Sequence, residues 1–191
     1  MDVEEARKVI ADGGIVVYPT ETAYGIAADP LNPDAVRKVY EAKQRPLEKG
    51  LTVIANNIEQ VEANAELNDI ERSIIEEFMP GPITLVVEKK DHVPDLLNED
   101  FAFRIPASET ARELASEQPI TATSANISGE STSYAVEDIS DELLEKVDGV
   151  IDEGRLEDGP TSTIAEVKNS DIVIHRRGPV EKEDLEDVLK R

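Results

Sequence analysis

Cations are scarce in this chain, 20 Lys and Arg against 42 Asp and Glu, so the places where they gather carry information. Lys43, Arg45 and Lys49 fall within seven residues of one another. A helix C-terminus attracts such charges through the backbone dipole, and a ligand phosphate or carboxylate does so through charge-assisted hydrogen bonds. Arg104 sits in the apolar run Phe103-Arg104-Ile105, where an arginine needs an anionic partner, either a local Asp or Glu or a ligand. Arg176 and Arg177 follow His175 in a further basic patch.

Hydroxyls cluster between these cations. Thr20, Thr22 and Tyr24 flank Glu21 in the segment 18–25, which follows a strand and reads as a loop, either an ordinary Ser/Thr turn or a seat for a small polar ligand. Residues 121–129 place Ser124, Asn126 and Ser128 among small neighbours. Small side chains there let a ligand approach the backbone, whose amides can form an anion-binding nest. Thr161, Ser162 and Thr163 add a third group. Together these segments describe a site that binds and positions anions without a nucleophile of its own. The chain has no cysteine, which excludes disulfides, thiolate catalysis and Cys-based zinc sites. His92 and His175 lie far apart and each has a surface or packing explanation, so no dedicated protein metal site is expected. Neither a phosphate-binding P-loop nor a dinucleotide fingerprint is present.

The formal charge of −22 disfavours direct tRNA or other nucleic-acid binding, because that affinity comes from Lys and Arg displacing counterions. It suits a salty cytoplasm, where screening acts within about 3 Å at 1 M salt, and a halophilic source is expected. No apolar run approaches the roughly 20 residues that span a bilayer. The acidic start Met1-Asp2-Val3-Glu4-Glu5 lacks the features of a secretory signal. A cytoplasmic protein with no membrane association is the expectation.

The elements that must hold these residues alternate between helical and strand periods, which predicts an α/β fold in one domain over residues 1–191. Asp2 and Asn32-Pro33 are helix starts, and Asn68 with Glu71 has the spacing of a reciprocal cap. The corresponding helices run to about Ile10, Lys43 and Phe78, with another over 58–63. Strands are expected near 15–18, 51–55, 83–87, 101–105, 120–123, 149–151, 162–167 and 171–175. Further helices are expected over 108–116, from a Ser140 cap through Leu144, and over 182–189.

The order of these segments resembles the YrdC-like (TsaC) threonylcarbamoyl-AMP synthase family over nearly the whole chain. Tyr18-Pro19-Thr20-Glu21-Thr22-x-Tyr24-Gly25 is similar to its N-terminal signature, and Lys43-x-Arg45-Pro46 to its Lys-x-Arg element. Pro80-Gly81-Pro82-x-Thr84, Arg104-x-Pro106, Ser124-Ala125-Asn126-x-Ser128-Gly129, Ser162-Thr163-Ile164 and Arg176-x-Gly178 follow in the family's sequence. The resemblance implies a twisted mixed sheet flanked by helices around a large anion-binding cavity. It further implies synthesis of threonylcarbamoyl-AMP and pyrophosphate from L-threonine, bicarbonate and ATP, the activating step of the t6A37 modification of tRNA.

Carried over by motif, Thr20, Thr22 and Tyr24 would hold threonine, and Lys43 and Arg45 would be catalytic, facing its carboxylate and the phosphates. Arg104, Ser124, Asn126, Ser162 and Arg176 would line the nucleotide. Mg2+ is expected to arrive with ATP, and the tRNA threonylcarbamoyl transferase complex is the implied recipient of the product. The rival readings are a YciO-type paralogue and a non-catalytic nucleotide- or RNA-binding module of the same fold. Intact Lys43/Arg45 and Ser124/Asn126 pairs favour the synthase, and the acidity counts against an RNA binder.

Overall fold

The computed structural model describes residues 1–97 and 100–190. Its helices begin where side chains satisfy otherwise unpaired amides. Asp2 accepts from the Glu5 amide and Glu5 reaches back, a reciprocal cap on α1 (Val3–Ala11). Asn32 caps α2 (Pro33–Ala42) and Asn57 caps α3 (Ile58–Asn64). The Asn68/Glu71 pair caps α4 (Asp69–Phe78) as its spacing predicts, and Ser108 caps α5 (Glu109–Leu114). Ser140 departs from expectation. Its hydroxyl makes no cap bond to α6 (Asp141–Leu144) and is buried without a hydrogen-bond partner. The single turn is closed instead by its main-chain carbonyl, which accepts from the amides of Leu143 and Leu144. The last helix is α7 (Lys182–Val188).

Ten strands are found among the described residues: β1 (Val16–Pro19), β2 (Tyr24–Ala27), β3 (Thr52–Ile54), β4 (Ala65–Glu66), β5 (Ile83–Lys89), β6 (Asp100–Arg104), β7 (Ile120–Ser124), β8 (Gly149–Val150), β9 (Thr163–Lys168) and β10 (Asp171–Arg176). They form one mixed sheet in the order β10-β9-β5-β6-β3-β7-β2-β1-β8, with β4 added on β5. The β1/β8, β3/β6 and β5/β9 pairs are parallel and the other pairs antiparallel. The mixed α/β architecture expected from the sequence is therefore present. One segment reads differently. Residues 18–25 are not a free loop but the turn of the β1/β2 hairpin, with Tyr18 opposite Gly25 and Pro19 opposite Tyr24.

Period-two alternation sorts the strand residues between two apolar clusters. In β5 and β6, Ile83, Leu85, Phe101 and Phe103 join the larger core, together with Val36 and Val39 of α2, Ile74 and Ile75 of α4, and Leu185 of α7. On the other face a smaller cluster packs Ala6 and Ile10 of α1 and Ala111 and Leu114 of α5 against Val16, Tyr18 and Ile120. Those two short helices cover only part of that face. The rest of it is the floor of a cavity.

Candidate active site

The cavity encloses about 470 Å³. One row of register partners crosses its floor, Val86 opposite Ala102, Ala102 beside Thr52, and Thr52 opposite Ala122. Small residues in the row keep the floor low, which makes a concavity out of a pleated surface. Thr84, Arg104, Ser124 and Ile164 lie on the same lining, each two residues from a member of that row or of the neighbouring β9 lattice.

Of the ten residues singled out in the sequence, eight line this cavity: Thr20, Thr22, Tyr24, Arg45, Arg104, Ser124, Ser162 and Arg176. Lys43 and Asn126 are buried behind its wall, 1% and 8% exposed. The backbone explains the split at the end of α2. Gln44 has φ +49, a left-handed conformation uncommon for a residue with a Cβ, and it turns Lys43 inward and Arg45 outward. The Lys43 ammonium donates to the carbonyl of Ser124, to the carbonyl of Asn126 at 2.7 Å and to Asn126 Oδ1 at 3.2 Å. Ser124 Oγ also donates to Asn126 Oδ1. Burial, and secondarily the Arg45 charge, push the Lys43 pKa down to about 7. Lys43 therefore braces the 124–126 segment from beneath.

The three arginines on the wall differ in how they are held. Arg45 donates from Nε to Lys49 O and from Nη2 to Gly50 O, both at 2.8 Å. Arg176 donates from Nε and Nη2 to Ser162 O at 3.0 and 2.8 Å and from Nη2 to Ser162 Oγ at 3.0 Å. Among the described residues neither enters an ion pair. Arg104 does: its Nη1 lies 2.8 Å from Glu21 Oε1. Of the two partners the sequence left open for Arg104, the local carboxylate is thus occupied, although the guanidinium still faces the cavity. Desolvation, and then Arg104, lower the Arg176 pKa; desolvation likewise lowers that of Arg45. Like charges gathered in a partly desolvated space repel, and an anion entering it relieves that repulsion.

Hydroxyls complete the wall. Thr84 Oγ1 and Ser162 Oγ lie 2.9 Å apart, so Thr84, Ser162 and Arg176 form one hydrogen-bonded set. Gly178 permits it: a Cβ there would overlap the backbone of Thr161, Ser162 and Thr163, which keeps the end of β10 close to the start of β9. Thr20 Oγ1 donates to Ala23 O at 2.7 Å and accepts from the amides of Thr22 and Ala23 at 3.2 and 3.1 Å, so Thr20 shapes the hairpin turn as well as lining the cavity. The Tyr24 hydroxyl donates to Gly154 O at 2.7 Å and accepts from the Glu153 amide at 3.0 Å, with its pKa raised chiefly by burial. It ties the irregular segment after β8 to the hairpin.

Sequence reasoning missed Thr52 and Thr132 as wall residues, and His175 beside Arg176, while Thr84 and Thr161 stood in segments it singled out without being given a role. Thr84 had a signal, an isolated hydroxyl two residues after a proline in an apolar strand. His175 pairs through Nε2 with Glu166 Oε2 at 2.9 Å. Among the described residues, no cluster of three His, Asp or Glu is arranged to hold a metal ion, and no helix is long and apolar enough to cross a membrane. The arrangement is suited to holding a polyanion against hydroxyl donors in a small, partly dry space.

Comparison with known proteins gives a consistent set of relatives. The family profile of Sua5, YciO and YrdC, described as "Telomere recombination", matches residues 8–178. A putative threonylcarbamoyl-AMP synthase from Methanocaldococcus jannaschii is 41% identical over 183 residues, covering 94% of this chain and 88% of that protein. The threonylcarbamoyl-AMP synthase of Pyrococcus abyssi is 35% identical over 190 residues, 96% of this chain but 56% of its own length, so the chain spans about half of that relative. The crystal structure of P. abyssi Sua5 complexed with L-threonine superposes with a TM-score of 0.90 at 34% identity, over 97% of this chain and 56% of that one. The E. coli YciO structure has a TM-score of 0.84 at 21% identity, covering 96% of this chain and 92% of that one, a likeness of fold.

Proposed function

The chain belongs to the Sua5/YciO/YrdC family, and from that premise we propose that it is an L-threonylcarbamoyladenylate synthase, a nucleotidyltransferase. The observation that carries this reading is the cavity itself. A protein of net charge −22 concentrates Arg45, Arg104 and Arg176 with Thr20, Thr22, Ser124 and Ser162 around one cavity. Relatives named threonylcarbamoyl-AMP synthase share 32–41% identity with it, against 21% for YciO, which favours the synthase over the YciO-type reading.

In the proposed reaction the threonine amine attacks bicarbonate and water is lost, giving a carbamate. A carbamate oxygen then attacks the α-phosphorus of ATP, and pyrophosphate leaves with the electron pair of the broken P–O bond. Every participant is anionic, so the barrier includes their mutual repulsion. Arg45, Arg104 and Arg176 screen it, and the hydroxyls of Thr20, Thr22 and Ser124 supply directional contacts for the amino acid and the phosphates. Lys43 supports catalysis by fixing Ser124 and Asn126 rather than by touching the reacting atoms. Positioning and charge stabilisation of this kind account for large rate accelerations without a residue-borne nucleophile. Mg2+ would enter on the phosphates of ATP.

The proposed protein acts in the cytoplasm of a salt-adapted cell as one unit over residues 1–191, and passes its adenylate to a tRNA threonylcarbamoyl transferase complex. Purified protein should release pyrophosphate from ATP at high salt only when both threonine and bicarbonate are present. Release that ignores the omission of either would remove the assignment. Specific tRNA affinity with a steep salt dependence would instead support the RNA-binding rival.

A further inference from the structure

The β9/β10 ladder changes register beside the cavity. Ile174 pairs with Ala165, whereas Arg176 pairs with Ile164, so His175 is the extra residue of a β-bulge. In a regular strand Ile174 and Arg176 would face the same side. Ile174 and Ala165 belong to the apolar core, while Ile164 and Arg176 line the cavity. The bulge therefore turns Arg176 away from the core, and His175 lines the same cavity. Two consecutive side chains face one ligand space, an arrangement regular pleating forbids and a bulge permits.

The imidazole is also held. Its Nε2 lies 2.9 Å from Glu166 Oε2. An ionised carboxylate only accepts, so Nε2 carries a hydrogen and Nδ1 is the ring atom left for a ligand. Glu166 is itself steadied by Lys168, 3.5 Å away. We propose that His175 is a phosphate-contacting residue of the cavity, oriented by Glu166, and that in its protonated form it donates from Nδ1 to a phosphate oxygen beside the Arg176 guanidinium. This rests on the reading of the cavity as an ATP site and assigns a further contact within it.

The charged groups around His175 define the approach. Glu166 and Lys168 come from β9, Arg176 from its own strand, and Arg104 from β6 acts on Arg176. Glu71 of α4 and Glu88 of β5 share an adjoining acidic space with Glu166. A phosphate approaching from that space is repelled, so it reaches His175 from the side of Arg176. In a protonated imidazole both ring nitrogens donate, so Nδ1 is then a donor rather than an acceptor.

The test is calorimetric binding of inorganic pyrophosphate, and separately of ATP, to the intact wild-type chain, His175→Gln, Glu166→Ala and the double variant, at about pH 6 and about pH 8. His175→Gln should bind pyrophosphate about tenfold more weakly at the lower pH, the value of one charge-assisted contact, with little difference at the higher pH. Glu166→Ala should lose a similar factor, and the double variant should be no weaker than either single one. Urea unfolding of each variant separates binding loss from misfolding. Wild-type affinity and wild-type pH dependence in a folded His175→Gln or Glu166→Ala variant would overturn the inference. So would a wild-type chain that does not bind pyrophosphate. Absence of threonine-dependent turnover in the wild type, with the pyrophosphate pattern intact, would sink the functional reading and leave this contact standing.

Discussion

Glu21→Gln keeps the shape of the hairpin turn and removes the charge that faces Arg104. In the wild type the carboxylate lies 2.8 Å from the guanidinium, with side chains 22% and 7% exposed, and its second oxygen accepts from the Ser108 amide at 3.3 Å. A hydrogen bond to a charged group contributes about 1.5–3 kcal/mol and a neutral one about 1 kcal/mol. Glutamine retains the weaker bond, so the substitution should cost about 1–2 kcal/mol. Repulsion between Arg104 and Arg176, no longer offset by Glu21, favours the upper figure. In a chain of this length 1 kcal/mol moves the thermal midpoint by about 2–4 °C, which predicts a fall of about 2–8 °C. The same change frees Arg104 for an incoming anion. Tripolyphosphate should therefore raise the variant's midpoint by more than it raises the wild type's, since a fivefold gain in affinity adds about 1 kcal/mol at saturation. Thermal unfolding with and without tripolyphosphate reads both effects. A variant that melts with the wild type, or gains less from the ligand, would refute the reasoning that Glu21 holds Arg104 in reserve.

Arg45→Ala should lower kcat/KM for ATP by about 100-fold, or about 2.7 kcal/mol of transition-state stabilisation. Its folding stability should change by about 1 kcal/mol, because the lost bonds go to main-chain carbonyls, one exposed and one part-buried, at the cavity edge; equal turnover in the two proteins would remove Arg45 from the site. Lys43 should mark the pH dependence of stability. Its folded pKa of about 7 lies below the value of 10.5 for a free lysine, so between these values the unfolded chain binds a proton that the folded chain has released. Stability contributed by this residue must then rise with pH across that window. Urea midpoints of wild type and Lys43→Met should accordingly shift in favour of the wild type as pH rises, and a difference that ignores pH would contradict the burial argument.

The parts of the fold legible in the sequence were those set by local chemistry. Asp2, Asn32 and the Asn68/Glu71 pair act on amides within three residues, so spacing alone reveals them. β2 was hidden because all four of its residues are buried and its connection to β1 has Thr20, Glu21, Thr22 and Ala23 in place of the Gly or Asn that usually marks a hairpin. Ser140 looked like a cap, but a helix of one turn could be closed by its carbonyl. For the site, the residue types pointed to an anion-positioning surface, and eight of the ten chosen side chains line one cavity. What no local pattern encodes is direction. The positive φ of Gln44 separates Lys43 from Arg45, and the register shift in β10 brings His175 round to the cavity. Thr52 and Ala102 matter through cross-strand pairing, which is set by strands distant in sequence.

The central claim is that this cavity joins threonine, bicarbonate and ATP into one adenylate. Its most direct test supplies bicarbonate labelled at carbon and ATP labelled at the α-phosphate, with threonine, to the purified chain at high salt, and separates the products. The prediction is a single threonine-containing product that carries both labels and forms in step with pyrophosphate. Labelled AMP free of the carbon label, at any threonine concentration, would contradict it.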